Sequence, residues 1–167
     1  MEPFASKKQV LMMRLSVVLV VGFILIGTIW YGLSETVQVR ILQNIADRAG
    51  GPLSFRFILQ PVMAAIAALR DGLTDAKTGR SPYLWTILTD PAKRGGRLKE
   101  GLISTARIIL LGLIMDTIYQ IFVLGTFFPG EAAIVALMLA FGPYLLLRGP
   151  IARVARWRGD SQAGKSP

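Results

Sequence analysis

The 167-residue chain contains no cysteine and no histidine. Without cysteine there is no disulfide framework. Without either residue there is no zinc or haem site of the usual Cys/His kind. Ser-His-Asp and Cys-His catalysis are excluded for the same reason. Negative charge is scarce as well: 10 acidic residues stand against 19 basic ones, a net charge of +9. What is abundant is apolar. Hydrophobic residues make up 53% of the chain, and the mean hydropathy is +0.52. That content excludes a disordered chain, and the length suits one domain. Apolar runs flanked by basic segments describe a membrane protein.

The clearest run is 15–33, LSVVLVVGFILIGTIWYGL, 19 residues without a formal charge. At 1.5 Å per residue it reaches about 28 Å, against a hydrocarbon core of about 30 Å. Trp30 and Tyr31 stand at its far end, where amphipathic rings favour the interface. Lys7, Lys8 and Arg14 precede it. A signal peptide also begins with basic and then apolar residues, and Gly32 and Ser34 resemble a cleavage site. The run exceeds a signal peptide's usual apolar core, so an uncleaved anchor is expected. The second run, 53–69, carries Arg56, Gln60 and Pro61. It is short, and a proline kinks a helix, so it is expected to span with a kink or to be re-entrant. The third run covers 108–128 and the fourth 131–147. Phe128-Pro129-Gly130 forms a tight turn between them. Glu131 then falls in the first turn of the last helix, where a carboxylate suits the helix dipole.

Basic residues orient this layout. With four spans, the amino terminus 1–14, the loop 70–107 and the tail 148–167 share one side and hold 16 of the 19 Lys/Arg. Only Arg40, Arg48 and Arg56 fall on or near the other. Both termini are therefore expected to be cytoplasmic. A three-span chain with its amino terminus outside divides the charges equally well. Four spans are preferred because the first helix usually sets orientation and its basic flank points inward.

Segment 34–52 is amphipathic on the expected periplasmic side. Val37, Ile41, Leu42, Ile45 and Ala49 recur near helical spacing among Gln38, Arg40, Gln43, Asp47 and Arg48, and Gly50-Gly51-Pro52 closes the pattern. It reads as an interfacial helix or as one packed on its own bundle. In the 70–107 loop, Tyr83 and Trp85 suit an interfacial aromatic patch. Asp90-Pro91 reads as a helix cap followed by a first-turn proline. Beyond the last span, Arg148, Arg153, Arg156, Trp157 and Arg158 describe a basic juxtamembrane helix, and 159–167 a tail. Anionic headgroups are the expected partners of these groups. The charge is accounted for by membrane flanks, so nucleic acid is not an expected partner.

Asp116 is the residue most suggestive of chemistry. It lies inside the third span, where a charged carboxylate costs about 2.5–3.5 kcal/mol on insertion scales. Tyr119 and Gln120 follow at i+3 and i+4 on the same face, and Gln60 and Tyr144 are candidate partners by depth. The cluster reads either as a proton or ion relay or as a structural hydrogen-bond set. Ala132, Ala136 and Ala140 form a small-residue stripe suited to close helix packing, within the bundle or in an oligomer. Asp71-Gly72 through Asp75 resembles the opening of the signature of membrane phosphatidyltransferases that use CDP-alcohols. The further aspartates of that signature are missing, and with them the expectation of a metal site. No cofactor is expected.

The strings LQPVMAAIAALRDG, GRSPYLW, MDTIYQ, FPGEA and PYLLLRGP resemble those of a group of small, uncharacterised bacterial inner-membrane proteins. The resemblance covers about 53–156 and implies membrane location without a specific activity. The expected fold is all-α, an integral membrane bundle of about four transmembrane helices with amphipathic interfacial helices. The expected role is that of an accessory, scaffold or assembly subunit, alone as a homo-oligomer or within a larger membrane complex. The alternatives are a small channel or transporter using the Asp116 face, and a membrane enzyme using the Asp71–Arg80 loop.

Overall fold

The computed structural model describes residues 5–32 and 35–163. Side chains are described at these positions except 35–38, 49 and 159–163. Ser34 of the cleavage-like site, the side chains of Val37, Gln38 and Ala49, and residues 164–167 of the tail therefore lie outside the described residues. The chain is helical, with no strand among the described residues: α1 Lys7–Tyr31, α2 Glu35–Gly50, α3 Arg56–Lys77, α4 Tyr83–Thr89, α5 Pro91–Tyr119 and α6 Pro129–Ala163. A single π turn, Gln120–Leu124, extends α5. Four of these helices are long and apolar enough to cross a membrane: α1, α3, α5 with its π turn, and α6.

Local chemistry explains the boundaries. Ser6 accepts from the Gln9 amide, and the Gln9 side chain accepts from the Ser6 amide, a reciprocal cap that starts α1. Asp90 accepts from the Lys93 amide and Pro91 follows it, so α5 starts there. Gly125 at φ +64° lets the chain leave the π turn toward α6.

The helices run beyond their apolar segments. α3 continues past Leu69 to Lys77, and its 22 residues reach about 33 Å. The 70–107 stretch is mostly helix: the end of α3, then α4, then the first four turns of α5. α6 continues through Gly149-Pro150 and joins the fourth apolar run to the basic juxtamembrane segment in one helix. Packing holds it in place. Gly72 of α3 lies against the Ile151 side chain and the Arg148 carbonyl, a close approach that a side chain at position 72 would block.

α6 is the hub. It packs on α3, α5 and α1, and α4 lies across α5 and α6. The interior is lined by small residues: Ala64 and Ala68 of α3 and Ala132, Ala133, Ala136 and Ala140 of α6 are all fully buried. Gly112 of α5 sits against Ala136, the close approach that small side chains permit. α1 is peripheral, and Leu11, Val18, Leu25 and Ile29 remain exposed along it. It approaches α6 closely at Gly27, where an added Cβ would stand 2.6 Å from the Gly130 backbone nitrogen. Gly27→Val should therefore push α1 off α6 and cost about 1–3 kcal/mol, read from the unfolding midpoint in detergent. Gly22→Val should change little, since nothing lies within 4 Å of that position.

Candidate functional site

The bundle has two ends. At the hairpin end α5 turns into α6, α3 begins and α2 lies alongside. At the loop end α3 connects through α4 to α5, and α1 begins. Each end encloses a network of arginines and carboxylates.

Asp75 of α3 is the centre of the loop-end network and is almost fully buried. Arg97 of α5 donates to both of its oxygens, at 3.0 and 3.3 Å. Arg148 of α6 donates to the same two oxygens, at 2.7 and 3.0 Å. Two forked guanidiniums on one carboxylate give geometric fixation as well as charge balance. Glu100 accepts from Arg80 at 2.7 Å and from Arg97 and Arg148 at 3.2 Å each. Arg148 also donates to the Tyr144 hydroxyl, which donates to Asp71 Oδ2, which accepts from Ser104 as well. Tyr83 is fully buried, with the Arg148 guanidinium 4.2 Å above its ring, and donates to the Arg97 carbonyl. Burial pushes the Tyr83 hydroxyl up to about 12, so it remains a donor at neutral pH. Three carboxylates, Asp71, Asp75 and Glu100, face three guanidiniums, Arg80, Arg97 and Arg148.

At the hairpin end, Asp116 of α5 is fully buried. Its Oδ1 lies 2.8 Å from Arg56 of α3 and 3.3 Å from Arg48 of α2. Its Oδ2 accepts from Gln120 at 2.6 Å. Gln120 also accepts from the Phe128 amide and donates to the Phe128 carbonyl, so it ties the π turn to the start of α6. Glu131 accepts from Arg48, Arg40 and Asn44. The Tyr119 ring lies under the Arg56 and Arg48 guanidiniums, at 4.9 and 5.7 Å. Here three arginines face two carboxylates.

The residues singled out in the sequence separate accordingly. Asp116, Tyr119 and Gln120 are buried together at the hairpin end. Gln60 is buried against Gly112, and neither of its amide atoms has a hydrogen-bond partner among the described residues. Tyr144 sits at the loop end with Asp71 and Arg148, apart from Asp116. Tyr83 and Arg148, read in the sequence as headgroup contacts, are interior ion-network groups. The reason is Asp75, which draws Arg148 inward onto the face of the Tyr83 ring. Trp85, Arg153, Trp157 and Arg158 are exposed, and Arg156 is half-buried. Ala132, Ala136 and Ala140 all face the interior of the bundle.

Sequence reading missed the arginines as ion-pair partners. Arg48 and Arg56 are almost fully buried, although they resemble ordinary flanking charges. One signal was available: with Arg40, they are the three basic residues that break the one-sided charge distribution. Among the described residues, no group of three His, Cys, Asp or Glu is placed to hold a metal ion. No protein-family model, curated protein or solved structure matches the chain, so the fold and these two networks carry the functional reading.

Proposed function

We propose that the chain is an accessory or scaffold subunit of a bacterial inner-membrane assembly. Its termini are cytoplasmic, and it acts through helix packing and lipid contact. One observation carries this reading: each of the buried carboxylates Asp75, Asp116 and Glu131 is held by two or more arginines. A carboxylate so held is a poor proton carrier, because protonation would strand buried cations. It is a good brace, because it fixes the relative placement of the helices that carry it. Tagged protein extracted from native membranes in mild detergent should co-purify with another membrane protein at constant stoichiometry. Recovery of the chain alone as a monomer counts against the proposal.

A channel or transporter is the second reading, and Gln60 favours it. An unpaired amide beside the Asp116 network supplies polar groups for water inside the bundle. Purified protein in liposomes should then conduct protons or ions, and Asp116→Asn should abolish the flux. Absence of flux from correctly folded wild-type protein removes this reading. Metal-dependent turnover lost in Asp71→Ala would instead favour an enzyme at the Asp71–Arg80 segment.

A further inference from the structure

A cleft of about 200 Å³ opens at the loop end between α1, α3 and α5, at the Asp71 edge of the ion network. Arg70 and Arg107 line it together with Asp71, Ser104, Gln9 and Met12. Both arginines are exposed, and neither makes an ion pair among the described residues. Asp71 is different. Its Oδ2 is occupied by Ser104 and Tyr144, and both hold the carboxylate in place from behind. Its Oδ1 takes no hydrogen bond among the described residues, and the side chain is 30% exposed.

The position of the cleft selects its occupant. Arg70 is the first charge after the second apolar segment, and Arg107 is the last before the third. The cleft therefore lies where hydrocarbon gives way to water. Two free guanidiniums fit a phosphodiester. A held carboxylate with one open oxygen fits an ammonium that can donate a hydrogen bond. We propose that this cleft binds the headgroup of an aminophospholipid, with its phosphate on Arg70 and Arg107 and its primary ammonium on Asp71 Oδ1. The acyl chains run down the apolar surface between α1 and α3. The site requires the spans to lie in a bilayer, which cysteine labelling tests independently of lipid binding.

The test uses the delipidated full chain in mild detergent, with bound lipid counted by native mass spectrometry. The probes are phosphatidylethanolamine, phosphatidylcholine and phosphatidylglycerol of identical acyl chains. Choline keeps the charge but cannot donate, so wild type should favour phosphatidylethanolamine over phosphatidylcholine about fivefold or more. Asp71→Asn should erase that preference while retaining phosphatidylcholine. Arg107→Ala should weaken both lipids alike. Because Arg107 makes no ion pair among the described residues, this variant keeps the test valid even if Asp71→Asn fails to fold. Asp47→Asn, exposed on α2 at the opposite end of the bundle, should change nothing. Equal binding of the two zwitterionic lipids by wild type overturns the proposal. So does a preference for phosphatidylglycerol that survives Asp71→Asn, or unchanged binding in Arg107→Ala. Free phosphoethanolamine should not displace the lipid at matched concentration; displacement would reassign the site to a soluble ligand and overturn the membrane source.

Discussion

Asp75→Ala is expected to lower stability by about 3–5 kcal/mol. The wild-type carboxylate is 1% exposed and takes four hydrogen bonds from two guanidiniums. Removing it leaves Arg97 and Arg148 buried side by side, each about 5% exposed or less. Among the described residues, Glu100 is the only other carboxylate that both of them reach closely, at 3.2 Å. Two buried guanidiniums left to share one partly exposed carboxylate are what makes the broken network costly. The loss should appear as a lower unfolding midpoint in detergent and faster proteolysis of α4. Asp47→Ala is the control: its side chain is exposed, and the change should stay within about 0.5 kcal/mol. A similarly small effect of Asp75→Ala would mean that the loop-end network does not brace the bundle.

The second large effect is expected at the hairpin end. Asp116→Ala should also cost about 3–5 kcal/mol. The burden falls unequally on its two arginines. Arg48 keeps Glu131 at 3.0 Å, whereas Asp116 is the only carboxylate paired with Arg56 among the described residues. Arg56→Met in the Asp116→Ala background should therefore restore part of the lost stability, because it removes the stranded cation. Arg48→Met in the same background should not, because it strands Glu131 with Arg40 and Asn44 alone. Equal behaviour of the two double variants would contradict the assigned pairing.

The long apolar helices were legible because apolar character over a window of about 20 residues is a local, additive property of the chain. Windows 15–33, 108–128 and 131–147 each carry that property on their own; α1 covers the first as far as Tyr31, α5 with its π turn covers the second as far as Leu124, and α6 contains the third. The helical extensions were not legible. Residues 70–77 and 91–107 are polar, and their helical state comes from packing on α6 and from the Asp90 cap. Asp116 could be singled out because a carboxylate among apolar residues demands a partner. Its partners could not, because Arg48 and Arg56 come from helices joined to α5 only in the folded bundle. Asp75 and Arg148 are 73 residues apart in sequence, and Arg48 and Glu131 are 83 apart. Pairings at that distance depend on how four helices are stacked, which no periodicity in one of them records. The same limit explains Tyr144. Depth alone allowed it beside Asp116, whereas the direction of α6 places it at the opposite end with Asp71.

In the proposed arrangement the bundle crosses the bilayer four times, with its two charged ends on opposite sides. A chain without cysteine makes this directly measurable, since any introduced thiol is the only one present. Asp47→Cys marks the hairpin end and Lys99→Cys the loop end, both at exposed positions. A membrane-impermeant maleimide should label Asp47→Cys only from outside intact spheroplasts and Lys99→Cys only in inverted vesicles. Labelling of both from the same side would contradict the four-span bundle.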